Sequence, residues 1–224
     1  MRIKRNLMAL CGAVAVTLGG TAVASADLGP GHAQPNIIDG TYAQSGPWAV
    51  ALMLNGQQNC SGSIINSRYV LTAKHCATSG YTFLVGDVDR TKGQSRKPVR
   101  SITHPSADIM LYELNSPVST TSAELTSSAP SVGSTEQVYG YGRTESARDS
   151  RYLKTANMKV TKVSSTFIDA TSINGFTGPG DSGGPVFQNG KQIGVHSYGD
   201  TNAGTSGHVN LATYRQWILN NTGS

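Results

Sequence analysis

From residue 48 to residue 219 the sequence breaks into short apolar runs separated by turn residues, and no long helical period interrupts them. Residues 48–54 are followed by Asn55-Gly56 and a return run at 60–65, and Pro185-Val186-Phe187 is followed by Asn189-Gly190 and a run at 192–195. An Asn-Gly pair between two such runs marks a tight hairpin, because both turn positions need positive φ. Further strands are expected at 69–73, 82–85, 109–114, 137–141, 158–163 and 167–170. Only residues 212–219 carry helical spacing, with Tyr214, Trp217 and Ile218 on one face. Many short strands with regular turns fold as a sandwich or a barrel. The composition agrees: 26 glycines, with 7% aromatic and 14% charged residues, describe a turn-rich β protein rather than a helical bundle. A chain of 224 residues suits one domain, with two lobes possible.

The amino-terminal stretch stands apart from this pattern. Arg2, Lys4 and Arg5 form a basic head, residues 7–18 an apolar run, and Ala24-Ser25-Ala26 a small-residue cleavage site, the pattern of a secretory signal over 1–26. A membrane anchor is the rival reading, but Gly19-Gly20 ends the run short of the roughly 20 apolar residues a span requires. The expectation is therefore a secreted, extracellular protein. Taking away residues 1–36 removes three basic residues and one acidic residue, which lowers the formal net charge from +5 to +3. No Lys/Arg run remains, so neither nucleic acid nor a membrane surface is an expected partner. Cys11 falls in the signal and leaves Cys60 and Cys76, which an oxidising compartment would join. Zinc ligation is the alternative, and it lacks a metal-spaced histidine pair; no metal or other cofactor is expected.

Three segments carry chemistry. Gly180-Asp181-Ser182-Gly183-Gly184-Pro185 holds a serine in a glycine-dense turn, where the main chain can approach a substrate and aim its amides inward. A lone motif of this kind can equally be a tight turn whose serine caps an amide. Partners decide between the readings, because a serine hydroxyl attacks a carbonyl only when a base takes its proton. Leu71-Thr72-Ala73-Lys74-His75-Cys76 delivers a histidine from an apolar strand, and Ala107-Asp108-Ile109-Met110-Leu111 brings an acid into another. A carboxylate entering such a strand needs a hydrogen-bond donor, which a histidine N–H supplies.

The order His75, Asp108, Ser182 along the chain resembles that of the chymotrypsin-like serine proteases. Further matches are Ile37-Ile38-Asp39-Gly40, similar to a mature amino terminus of that family; Cys60-Ser61-Gly62-Ser63; His104-Pro105; Gly140-Tyr141-Gly142-Arg143; Ser197-Tyr198-Gly199; and Tyr214-Arg215-Gln216-Trp217-Ile218. The resemblance implies an all-β fold of two six-stranded antiparallel β-barrels and a short C-terminal helix. His75 and Asp108 would come from the first barrel, Ser182 from the second, and residues 116–132 would link them. It also implies a short propeptide over 27–36 and a protease domain over 37–224.

By that resemblance Ser182 attacks the scissile bond of a protein or peptide, His75 is the base and Asp108 orients it. The amides of Gly180 and Ser182 form the oxyanion hole, Ser197 helps seat Asp108, and the main chain of Ser197, Tyr198 and Gly199 pairs with an extended substrate. Cutting after Asn36 would free Ile37 to pair with Asp181; the rival is a mature start at Asp27. The trypsin branch cuts after Lys or Arg, so Asn36 is a departure. The floor of the P1 pocket is expected at Phe176, where trypsins carry an aspartate, and Gly178 stands where a bracing cysteine is usual. Thr177 and His196 resemble the pocket pair of the glutamyl endopeptidases, in which an imidazole receives the P1 carboxylate. An apolar or broad P1 preference is the alternative. Two other functions remain open here, a catalytically silent binding module and a serine esterase or acyltransferase. A monomer is expected.

Overall fold

A computed structural model describes residues 37–223, so the expected signal and propeptide lie outside the described residues. In chain order the strands are β1 Thr41–Tyr42, β2 Ala49–Leu54, β3 Gln57–Ile64, β4 Tyr69–Thr72, β5 Tyr81–Val85, β6 Gln94–Arg96, β7 Pro98–Thr103 and β8 Met110–Leu114. These are followed by β9 Thr135–Gly140, β10 Lys154–Val163, β11 Phe167–Ser172, β12 Pro185–Gln188, β13 Lys191–Asp200, β14 Thr205–Asn210 and one helix, α1 Leu211–Thr222.

Both Asn-Gly hairpins form as the sequence requires. Asn55 and Gly56 have φ of 51° and 79°, and Asn189 and Gly190 have φ of 51° and 76°, so the first joins β2 to β3 and the second β12 to β13. The first sheet runs β6-β5-β2-β3-β4-β8-β7. Its two edges, β6 and β7, are successive pieces of one segment broken at Lys97, where Pro98 has no N–H for the ladder. The sheet thus curls round to a seam made by a bend in the chain. The second sheet runs β10-β11-β14-β13-β12-β9 and closes through β9–β10, with the short β1 added on β10. The all-β, two-lobed architecture is the expected one, with one barrel closed by hydrogen bonds and the other only half closed.

Inward residues of the closed barrel, including Ile37, Val138, Met158, Ile168 and Ile193, form one core. A larger one gathers Leu52, Ile64, Leu71, Phe83, Ile109 and Leu111 of the first barrel with Leu211 and Ile218 of the helix. Asn210 caps α1 by accepting from the Ala212 amide (3.2 Å), and Gly223 ends it at φ 70°. The helix packs on the face of the first barrel that leads to Asp108. Tyr214 and Trp217 meet the His104 ring edge-on at 4.8 and 5.0 Å, and His104 Nδ1 accepts from the amides of Ser106 and Ala107 (3.2 and 2.9 Å). That cap shapes the turn leading to Asp108. Where the barrels meet, Arg151 grips the buried Asp89 through two N–H groups (2.9 and 2.6 Å), and Arg90 pairs with Asp149 (3.0 Å).

Candidate active site

His75 sits in a 3-10 turn, Lys74–Cys76, that follows β4 directly. Cys76 in the same turn is joined to Cys60 on β3, as the cysteine count required. Asp108 enters just before β8, and its carboxylate accepts three hydrogen bonds. They come from His75 Nδ1 (2.7 Å), the His75 amide (2.9 Å) and Ser197 Oγ (2.6 Å). Burial raises the Asp108 carboxyl, but these three donors outweigh it and leave the acid below the ordinary carboxylate range. The same Asp108 contact raises the His75 imidazole above its ordinary value, opposed in part by burial. A base with raised proton affinity, oriented by an ionised acid and 44% exposed to the cleft, can take and return a proton.

Ser182 lies in the loop before β12, and the first barrel holds that loop from below. The Ser61 amide donates to Ser182 O (2.8 Å), while Gln58 Nε2 and Ser61 Oγ both donate to Gly180 O (2.8 and 2.9 Å). Gly180 has φ 95° and Gly183 φ 80°, conformations a side chain would strain. Among the described residues the amides of Gly180 and Ser182 and the hydroxyl of Ser182 donate to no protein acceptor. Both amides remain available to an oxygen that gains charge beside the serine.

The side chain between them turns inward. Asp181 is fully buried, and its carboxylate accepts from the amides of Gly142 (2.8 Å) and Gly178 (2.9 Å). A Cβ on Gly142 would meet that carboxylate at 2.6 Å, and one on Gly140 would collide with it as well, which explains the Gly140-Tyr141-Gly142 motif. Burial pushes the Asp181 carboxyl up. Lys154, also fully buried, is pushed down by burial and held up by the fields of Asp181 and Glu145; its Nζ has no hydrogen-bond partner. Sequence reasoning missed this lysine, since nothing in an exposed-looking Leu-Lys-Thr marks a buried cation. Ile37 is fully buried in the core beside β9 and β10.

A cavity of about 190 Å³ adjoins Ser182, with Thr177, Gly178 and Pro179 on one side and His196, Tyr198 and Gly199 on the other. Gly199 must be glycine here, because a Cβ would come within 2.5 Å of Thr177 Oγ1. Thr177 Oγ1 shares a 2.8 Å hydrogen bond with Ser206 Oγ, a partner that sequence reasoning missed. Phe176 is not part of the lining, a correction to its expected place as the floor. Its amide donates to Ile38 O (2.7 Å) and its ring packs against Gly204, which leaves Thr177 to reach the cavity. Beyond His196, β13 pairs only with β14, so the outer edge of Ser197, Tyr198 and Gly199 is free to meet an extended strand. His196 is buried and its imidazole is held well below its ordinary value, first by burial and then by the fields of His208 and His75, with Asp108 opposing. Among the described residues no cluster of acids, histidines and cysteines is arranged to hold a metal, and no helix is long and apolar enough to cross a membrane.

Two β-barrels with an acid–imidazole pair from one, a glycine-held serine from the other and a cavity beside it define the chymotrypsin-like class of serine hydrolases. Residues 37–218 match the Trypsin family model, and the chain belongs to that family of serine peptidases. An uncharacterized peptidase of Corynebacterium glutamicum is 27% identical over 209 residues, covering 87% of this chain and 75% of that one. Glandular kallikrein of Sus scrofa is 28% identical, covering 83% of this chain and 95% of the relative. The solved structure of neuropsin, a serine protease expressed in the limbic system of mouse brain, superimposes with a TM-score of 0.72 at 25% identity, over 78% of this chain and 94% of that one.

Proposed function

We propose that the protein is a secreted serine endopeptidase in which Ser182 attacks, His75 moves the proton and Asp108 orients and stabilises the imidazolium. The observation that carries this reading is the Asp108 cluster, in which three donors hold an ionised acid against His75. Ser182 Oγ adds to the scissile carbonyl while His75 Nε2 takes its proton, and the amides of Gly180 and Ser182 receive the oxyanion. His75 then protonates the leaving amine, and water repeats the sequence on the acyl-enzyme. The free edge of Ser197, Tyr198 and Gly199 supports peptides as substrates over small esters, and the complete set of groups supports catalysis over a silent binding module.

Cleavage after Asn36 would free the Ile37 amine. The fully buried Asp181 makes no ion pair at contact distance among the described residues, and the field of the buried Lys154 offsets its charge only in part, which supports a paired role for it with that amine. The P1 residue it favours is acidic, a reading supported by Thr177 and His196, which resemble the pocket pair of the glutamyl endopeptidases and line the cavity beside Ser182. A fluorophosphonate probe tests the first step. Protein processed to Ile37 is expected to be labelled at Ser182, and Ser182→Ala is expected to lose labelling and turnover, the latter by about 10⁴-fold or more. A folded, processed protein that is not labelled would overturn the reading, and amino-terminal sequencing of the labelled form decides between Ile37 and Asp27.

A further inference from the structure

A second hollow opens beside the P1 cavity. Pro179, which forms one wall of that cavity, also lines this hollow of about 580 Å³, which is otherwise enclosed by the 143–148 loop. The Arg143 amide donates to Pro179 O (2.7 Å), so the loop starts from the wall itself. Buried Thr144 then turns it: its Oγ1 accepts from the Ala147 amide (2.7 Å), and its own amide donates to Ala147 O (2.9 Å). Arg148 reaches back to the first barrel, where a guanidinium N–H donates to Gln57 Oε1 (3.5 Å). The hollow therefore extends from the wall beside Ser182 to the start of β3.

The oxyanion amides decide which part of a substrate passes this hollow. In the proposed mechanism the acyl half, ending in P1, lies along the outer edge of Ser197, Tyr198 and Gly199, on one side of the P1 cavity. The amides of Gly180 and Ser182 face the scissile carbonyl, so the leaving half continues on the opposite side, past Pro179 and Gly180. In an extended chain successive side chains point to opposite faces. P1 enters its cavity, P1′ turns away, and P2′ returns to the face of P1 about 7 Å further on, across the Pro179 wall.

Charge decides which P2′ side chain fits there. Arg143 and Arg148 line the hollow and are exposed, and neither makes an ion pair among the described residues. The Arg143 guanidinium makes no hydrogen bond among them either. Glu145 is the one acid in the lining, and its Oε1 accepts from the Asp39 amide (2.5 Å). Asp149, next to the lining, accepts from Arg90 (3.0 Å) and the Gln58 amide (3.3 Å). Two guanidinium groups thus face the hollow against one engaged carboxylate, and a guanidinium fork receives a carboxylate through two N–H groups at once. We infer that Arg143 and Arg148 form a subsite that selects an acidic residue at P2′, on the leaving side of the scissile bond. The subsite rests on the peptidase reading above but not on the acidic P1 preference, which belongs to the other side of the Pro179 wall.

The test uses internally quenched peptides that carry Glu, Gln or Lys at P2′ and are otherwise identical, with P1 held at the residue the enzyme cuts best after. Active enzyme is counted by fluorophosphonate labelling. The native ratio of kcat/KM for Glu over Lys is expected to be about tenfold at low salt, with Gln between them. It should shrink toward one as salt rises from about 0.05 M to about 1 M, because the two arginines are exposed. Arg143→Gln with Arg148→Gln is expected to bring the ratio to one or below, since Glu145 remains. Arg143→Glu with Arg148→Glu should invert it in favour of Lys, which a general loss of fold or of activity cannot do. A native ratio of one or below, or a Glu preference that survives both double variants, would overturn the subsite and leave the peptidase reading standing. Labelled enzyme that cuts none of the peptides would overturn both. Should the variants fail to fold, the native enzyme decides: a Glu preference that high salt leaves unchanged would overturn the subsite.

Discussion

Asp108 and Glu136 each set a carboxylate against an imidazole, at 2.7 Å from His75 and 2.9 Å from His208, but their surroundings differ. Asp108 accepts from three donors, lies at the cleft with 23% of its side chain exposed, and is held below the ordinary carboxylate range. Glu136 is buried, and neither of its oxygens has a hydrogen-bond donor. A fully donated carboxylate fixes one geometry, which suits a base that must meet every substrate in the same way. A buried carboxylate without donors, held at ion-pair distance from a buried imidazole across the interior of the closed barrel, is fixed by packing instead.

Substitution at Asp108 tests its side of this contrast. Asp108→Asn keeps the shape but offers His75 an amide, so the imidazole takes the wrong tautomer. The expected loss in kcat is about 10⁴-fold on every peptide, whatever its P1 residue. If Asp108→Asn instead altered the preference between Glu and Leu at P1 with little loss of turnover, the contrast between the two acids would fail. The pH dependence has a definite sign. In the proposed mechanism only neutral His75 accepts the Ser182 proton, and the Asp108 contact raises its proton affinity. Activity should therefore climb through a midpoint above that of free histidine, and kcat/KM measured on a peptide with Leu at P1 reports it directly.

The Cys60–Cys76 bond belongs to the fixed half of the cleft, because it ties the His75 turn to the strand beneath Ser182. Replacing both cysteines by serine is expected to lower stability by about 3 kcal/mol, read from denaturant unfolding. The loss of activity should track the loss of folded protein and leave P1 preference intact. The smallest effect is expected at Ser197→Ala, which removes one of the three donors to Asp108. A fall in kcat/KM of about tenfold or less is expected, equal for peptides with Glu or Leu at P1. The Asp108 carboxyl should rise toward its ordinary value, so the acid end of the pH profile is where the variant should depart most from the native enzyme.

The same contrast governs how much was legible in the sequence. His75, Asp108, Ser182 and the cysteine pair announce themselves because each sits in a local motif whose neighbours serve the same site. The Asn-Gly hairpins and the strands at 48–54 and 109–114 followed from turn chemistry and apolar runs. Strands β6 and β7 did not, because Arg96, Lys97, Pro98 and Arg100 hide the alternation of a strand that bends at the barrel seam. Strand β14 was hidden by Gly207, which is small because the Tyr198 ring lies where a side chain would be. Its loss from view concealed Ser206 as the partner of Thr177, whereas a count along the chain already put His208 near the pocket of His196. Glu136 opens a strand as an ordinary polar residue, and only the register of the closed barrel turns it inward. Phe176 was misplaced by counting back from Ser182, since a count along the chain cannot show that the bridge to Ile38 takes that residue out of the cavity.

The most direct test of the proposed specificity is the cleavage profile of the Ile37 form on a proteome-derived peptide library, alongside His196→Ala. Cuts mainly after Glu, with that preference lost in His196→Ala, are the expected result. Cuts mainly after Leu, Phe or Tyr, little changed by His196→Ala, would contradict it.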